Sequence, residues 1–539
     1  MRKRWRIGLL GVGMAVLMAG CSRETQVTET SLQEEMIEED EIETDVHKAD
    51  KKEEVTENGE IADAVNIVLS DNQILVDGEA VSEDTESAVY IANDIVYYEE
   101  GKDFTYGEGT EADAHSKEEA GAHTVVHITK PGTYAVSGSL SSGQIAVDLG
   151  EDAEDDPEAV VTLMLNGVDI NCSVAPGVIF YNVYECCEAD EETASKDVDT
   201  SAAGANVVIV DGTENTVNGS YVARIYKSVE LNEEGTEVVD SKKLHKYDAA
   251  FYSKMTMNVG GGEEGTGILN INAENEGLDS ELHLTVNGGN INIVSGNDGI
   301  NTNEDYISVT TVNDGTLKIQ VNGETGEGDG IDSNGWLVIN GGTVIAEACS
   351  FSGDAGIDSD MGIHINGGTV LATGNMLDHI SESEQPFAVF TFAERQSEGA
   401  TYTLKDEDGN EVVTVAPENE FTYMIMSDED MAVGEYTLWK NDIQLVGAED
   451  AGGRGGFGGG MRPEMSEDFE PGKMPEGMIP PEMPETFDPE KVPQGMQGGR
   501  PGGNRGGRGD RENVNAVEKS AIFTVKAGGS YFGQITEIE

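Results

Sequence analysis

The chain has 539 residues and a formal net charge of −72, from 32 Lys+Arg against 104 Asp+Glu. A surface this acidic lacks the cations that neutralise phosphates, which excludes DNA and RNA as partners and excludes docking of the folded body on anionic lipid. Aromatic residues make up 6% and glycine 68 positions, so tight turns or Gly-rich linkers must be frequent, and the length allows more than one domain.

The N-terminus reads Met1-Arg2-Lys3-Arg4-Trp5-Arg6, then an apolar run from Ile7 to Ala19, then Gly20-Cys21. A basic stretch, a short apolar stretch and a small-residue site predict a signal peptide over residues 1–20. Leu17-Met18-Ala19-Gly20-Cys21 resembles a bacterial lipobox, which implies acylation of Cys21 and a location on the extracellular face of the cell membrane, held by that lipid alone. Residues 21–60 carry fifteen Asp/Glu against Arg23, Lys48, Lys51 and Lys52, too charged to collapse, and are expected to be a disordered, self-repelling tether.

Between residues 255 and 375 the chain repeats itself. Asn287-Gly288-Gly289, Asn313-Asp314-Gly315, Asn340-Gly341-Gly342 and Asn366-Gly367-Gly368 recur every 26 or 27 residues, each flanked by short alternating apolar runs. A second signature keeps phase: Glu276-Gly277-Leu278-Asp279-Ser280, Asp298-Gly299-Ile300-Asn301-Thr302, Asp329-Gly330-Ile331-Asp332-Ser333 and Gly356-Ile357-Asp358-Ser359. A period of this length holding three short strands predicts an all-β fold, a right-handed parallel β-helix (solenoid) over residues 61–385. The Asn before each Gly suits a left-handed turn, and stacked Asn side chains are expected to bond along the ladder.

If Leu278, Ile300, Ile331 and Ile357 face inward, alternation turns Asp279, Asn301, Asp332 and Asp358 outward, followed two residues on by Glu281, Asn303, Asn334 and Asp360. Glu276, Asp298, Asp329 and Asp354 stand just upstream. Two readings of this column stand, a solvated acidic face or a row of hard-cation sites. For the in-phase set Ca²⁺, which takes six to eight oxygen ligands, is the expected cofactor. Asp358-Ser359-Asp360 is no EF-hand, since Thr369 stands where the loop needs Glu. His123 and His127 straddle an extended run that keeps their rings apart, so no zinc site is expected. For the cysteines, a bridge from Cys172 to Cys186 or Cys187 and free inward-facing thiols both remain open.

These segments, with Ile128-Thr129-Lys130-Pro131-Gly132-Thr133-Tyr134, Val161-Thr162-Leu163-Met164-Leu165-Asn166-Gly167 and Ala250-Phe251-Tyr252-Ser253-Lys254, resemble a family of calcium-bearing, right-handed parallel β-helix carbohydrate-binding proteins of bacterial surfaces. The resemblance implies binding of acidic pectic polymer or cellulose without catalysis. Residues 183–205 and 230–245 depart from the pattern as insertions, and Ala355 replaces an acid in the last copy. The related polysaccharide lyases imply an alternative, calcium-dependent lyase chemistry with Lys254 and Lys318 as the candidate bases. Between Met255 and Glu394, Lys318 is the one basic side chain other than His, a thin supply for that reaction. A non-catalytic spacer or adhesin is a further alternative. Neutral glucan would stack on exposed aromatics, for which Tyr252, Tyr306 and Trp336 are the candidates.

Residues 386–450 with 514–539 read as antiparallel strands, including an Asp408-Gly409 hairpin signal, and are expected to form a C-terminal antiparallel β cap. Residues 451–513, with nine of the fourteen prolines and six methionines, are expected to be a disordered Gly/Pro/Met-rich insert.

Overall fold

The computed structural model describes residues 61–450 and 519–538, apart from positions 62, 108, 110, 111, 188, 189, 233, 237, 244–246 and 382. The signal peptide, Cys21, the acidic tether and the Gly/Pro/Met-rich insert therefore lie outside the described residues. Among the described residues regular structure is almost entirely β: one helical turn, Lys117–Ala120, and one 3₁₀ turn, Glu151–Asp155, interrupt the strands.

The parallel ladders follow from the period. Because like residues recur in each repeat, at 26- or 27-residue steps from Val259 onward, apolar positions stack on apolar positions, as in the series Leu163, Val207, Val259, Val286, Val312, Ile339 and Ile365. A second series runs Phe251, Leu278, Ile300 and Ile331, with Ile357 bridged to Ile331. All of these are buried, each contributing about 1.5–3 kcal/mol of transfer free energy. The turn asparagines form a continuous side-chain ladder: Asn313 Nδ2 donates to Asn287 Oδ1, Asn340 Nδ2 to Asn313 Oδ1 and Asn366 Nδ2 to Asn340 Oδ1, each at 2.9 Å. Gly289, Gly315, Gly342 and Gly368 hold positive φ, between 75° and 93°, which is why glycine occupies those turns.

The expected right-handed parallel β-helix with an appended cap is not the architecture formed. Most strands join one mixed 23-stranded sheet, beside an eight-stranded sheet and the hairpin of Tyr226–Leu231 with Val238–Lys243. In a plain stack each strand has one neighbour per edge. Here long strands serve several ladders: Val161–Asn171 pairs with Gly132–Leu140, Ala205–Ile209 and Glu214–Gly219, and His283–Ser295 pairs with three more. The C-terminal antiparallel strands are no separate cap either, because Thr369–Gly374 pairs antiparallel with Phe421–Ser427 and draws them into the same sheet. Alternating apolar residues specify strands, whereas which edge a long strand shares with two partners is a property of turn geometry. The C-terminal strands pack a second core, in which Phe392, Tyr402 and Phe421 meet edge to face at 5.4–5.6 Å.

The eight-stranded sheet positions the candidate site. Ala249–Ser253, Glu276–Ser280, Ile300–Thr302 and Ile331–Ser333 lie side by side in parallel, so Tyr252, Asp279, Asn301 and Asp332 share one row. Glycines set how closely these segments approach: a Cβ on Gly299 would lie 2.6 Å from the Gly330 carbonyl oxygen and collide with Ile319. Substituting Gly299→Ala is therefore expected to destabilise the protein by about 2 kcal/mol. Urea unfolding measures this; an unchanged midpoint would show that the segments can separate without loss.

Candidate functional site

The polar row faces away from the apolar series, yet it is not solvated. Asp279 is fully buried and Asn301 is 6% exposed. Glu276 and Asp298 are buried beside them. Asn301 Nδ2 donates to Glu276 Oε1 at 3.2 Å and to Asn303 Oδ1 at 3.3 Å, and Asn303 Nδ2 donates to Asp279 Oδ1 at 2.7 Å. Backbone amides meet the acids of the upstream row, since Asp329 N donates to Asp298 Oδ1 at 2.7 Å and Ala355 N to Asp329 Oδ1 at 2.5 Å. The column thus brings together Glu276, Asp279, Asp298, Asn301, Asn303, Asp329 and Asp332.

The other expected ligands border this column, and the Ile331–Ile357 bridge sets Asp358 beside Asp332 as the next position of the row. Gly330 N bonds to the Ala355 carbonyl where its counterparts bond to those of Asp298 and Asp329, so Ala355 takes the acid's place and Asp354 instead accepts from Gly328 N and the Ser352 hydroxyl. Asn334 donates to the Asn303 carbonyl, away from the carboxylates. Asp358 and Asp360 form a second acidic neighbourhood with Asp378 and Asp305, two residues the sequence reading missed. Asp378 was detectable: Met376-Leu377-Asp378-His379 is a degenerate further copy of the Gly-Ile-Asp-Ser signature, with Leu377 packed against the core. Tyr252 ends the row from the other side. It is 1% exposed, and its hydroxyl donates to Glu281 Oε1 at 2.5 Å, which leaves no ring face for a ligand.

Electrostatics mark the column as strained. Burial, then the neighbouring charges of Glu276 and Asp332, pushes Asp298 well above the ordinary carboxylate range. Burial, then Asp298 and Asp358, does the same to Asp329. Asp358 is pushed up to about 8 by burial and by Asp378, Asp332 and Asp360. A cation among these groups would offset both the burial of charge and the mutual repulsion. The donor set fits a hard ion, since every side-chain donor is oxygen and the buried Asn301 Oδ1 accepts no hydrogen bond. No three of the column's carboxylates each bring an oxygen within 4.8 Å of one another, so amide and backbone oxygens would have to complete a coordination shell.

The remaining candidates are dispersed. Lys254 follows the strand Ala249–Ser253 of the eight-stranded sheet and donates to Asn182 Oδ1 at 3.4 Å, while Lys318 lies in the larger sheet, paired with Glu418. Trp336 opens the strand Trp336–Ile339 and is half-buried; Tyr306 is 45% exposed and holds φ at 63°. His123 bonds the Glu119 carbonyl and Ser173, and His127 bonds Asp94 and stacks on Tyr90, so the two serve different partners. Cys172 takes no part in a bridge; it is buried, which pushes its thiol up to about 11, and Cys186 is bonded to its neighbour Cys187.

These raised acids fix a pH dependence. A carboxyl whose folded pKa exceeds its unfolded value contributes stability below the unfolded pKa and loses it as pH rises through the folded one. In EDTA the melting temperature is therefore expected to fall from about pH 5 to about pH 8, and less steeply in Asp298→Asn. A flat or rising profile in scanning calorimetry would contradict the column's strain.

With this geometry in hand, the chain can be set beside known proteins. A family model described as carbohydrate-binding domain-containing protein matches residues 122–416. A carbohydrate-binding domain-containing protein of Acetivibrio thermocellus is 28% identical over 170 residues, 31% of this chain and 44% of that protein, so the match spans less than half of the relative. A solved structure of a polysaccharide lyase-like protein from C. thermocellum, a gadolinium derivative, covers 59% of this chain and 97% of that one at 18% identity, with a TM-score of 0.30, too distant to bear on this site. The family model takes in more than half of the residues, including the whole acid column, and on that ground the chain belongs to the carbohydrate-binding domain-containing protein family.

Proposed function

We propose that the protein binds an acidic polysaccharide without cleaving it, and that calcium held along the acid column links carboxylates of the protein to carboxylates of the polymer. The single observation behind this reading is the buried in-register row of oxygen donors, whose mutual repulsion and unbonded Asn301 Oδ1 call for a cation. Glu276, Asp279, Asp298, Asn301, Asn303, Asp329 and Asp332 would hold it, with Asp358 next in the row beside Asp332 and Glu281 and Asp360 at the margins. Bound calcium supplies positive charge in a protein whose own surface repels uronates. The absence of a lyase role rests on the two candidate lysines: Lys318 lies in the other sheet and is committed to Glu418, and Lys254 is bonded to Asn182. Acylation of Cys21 would present the domain on the extracellular face of the membrane.

The test is retention of the protein on de-esterified pectin and on insoluble cellulose, each with calcium and with EDTA, with unsaturated product followed by ultraviolet absorbance and folding by circular dichroism. Expected is calcium-dependent retention on pectin, loss of at least about tenfold in EDTA with the fold kept, and no product. Equal retention on pectin in EDTA would sink the calcium bridge, and product would assign a lyase. Retention on cellulose alone would move the ligand to an exposed aromatic such as Tyr306.

A further inference from the structure

Within the insertion at 183–205, Cys186, Cys187, Thr193, Ala194, Ser195, Asp197 and Asp199 line, with His283 and Ile307, a cavity of about 270 Å³. Its floor is the bonded pair Cys186–Cys187, an eight-membered ring that offers two adjacent sulfur atoms as a rigid apolar surface. The ring is held through Cys187. Glu185 Oε1 accepts from Cys187 N at 2.9 Å while both Glu185 oxygens hold Thr256, and Cys187 Sγ lies 3.2 Å from the Asp199 carbonyl oxygen. His283 has both ring nitrogens engaged, Nδ1 accepting from Val309 N at 3.0 Å and Nε2 facing the Cys187 carbonyl at 3.4 Å, so it is neutral and no metal ligand. With its sulfurs joined to each other, the Glu185-Cys186-Cys187 cluster offers no thiolate to a metal either.

The walls have the opposite character. Thr193 and Ser195 bring hydroxyl oxygens that can accept, the former with its proton given to Asp190 Oδ1 at 2.8 Å; Asp199 brings a carboxylate, and Asp197 brings one paired with Lys196 Nζ at 2.6 Å. Local bonds hold these groups in place, Ser195 Oγ accepting from Asp197 N at 3.2 Å and Asp199 Oδ1 from Ser201 N at 3.0 Å. Next in the chain to the wall residue Ile307 stands Tyr306, exposed and held at a left-handed φ that a tyrosine rarely adopts, a kind of backbone strain that recurs at ligand clamps.

An apolar floor, acceptor walls and a volume just below the range of drug-sized ligand sites suit the two faces of a single sugar ring, with C–H groups on one side and hydroxyl donors around the edge. The Asp199 carboxylate repels a uronate, while Asp197 is paired with Lys196. We infer that this cavity is a second carbohydrate subsite, one that takes a single neutral pyranose residue and needs no cation. The inference rests on the polysaccharide-binding reading but on different residues from the acid column, and so answers differently to chelation.

Isothermal titration of the full chain in EDTA against neutral gluco-, galacto-, manno- and xylo-oligosaccharides tests it, beside retention on de-esterified pectin in calcium. Binding of one neutral series in EDTA is expected, weakened about tenfold both in Cys186→Ser/Cys187→Ser, which opens the ring, and in Ala194→Trp, which fills the cavity and keeps the disulfide. Because Ala194→Trp leaves the loop's crosslink intact, its wild-type affinity would overturn the subsite even if the serine variant unfolds locally. Failure of every neutral series to bind the wild-type protein would also overturn it, and pectin retention in the same preparation then decides separately whether the acid column binds polysaccharide.

Discussion

In-register parallel pairing sets each side chain about 4.8 Å from its counterpart on the next strand, and a repeating sequence makes that counterpart a copy of itself. The chemistry of each residue then decides whether the copy helps. Valine and isoleucine gain, because stacked branched chains exclude water. Asparagine gains because an amide is donor and acceptor at once, so Asn287, Asn313, Asn340 and Asn366 satisfy one another. Aspartate loses, because a carboxylate only accepts. The row through Asp279, Asn301 and Asp332 shows how the conflict is moderated: the middle position is the amide, and Asn303 inserts a donor beside Asp279.

Legibility in the sequence follows the same division. The asparagine ladder and the glycine turns could be read because each repeat demands the same residue at the same place. The acid column could be read as a column, but alternation gave its direction only; Asp279 points away from the apolar series and is nevertheless buried, with Tyr252 as its lateral neighbour and Asn303 donating to its carboxylate. Tyr252 shows the limit from the other side, an aromatic in the aspartate slot whose hydroxyl finishes the row where a ligand platform was expected. The whole architecture was not legible. Periodicity specifies which residues pair laterally, whereas a strand as long as His283–Ser295 meets partners that no local pattern reveals, and the antiparallel pairing of Thr369–Gly374 lies in contacts far apart along the chain. The bond between Cys186 and Cys187 was missed because adjacent cysteines were weighed as partners for Cys172 only.

The two binding surfaces inferred here differ in what holds them together. The acid column is made of repeated elements and inherits their spacing, so its geometry is tied to the sheet. The cavity over the disulfide is made by an insertion and is held by side chains such as Glu185 that reach back to the sheet through Thr256. A change in the insertion can alter one surface while leaving the other's register untouched.

The asparagine ladder also has a direction. Every Nδ2–H points from the later repeat to the earlier one, so the amide dipoles add along the stacking axis instead of cancelling as strand dipoles do. The Asn287 end carries partial positive charge and the Asn366 end partial negative charge. On a protein with a formal charge of −72, this exposed edge is polarised from one end to the other without containing a single ionised group in the row.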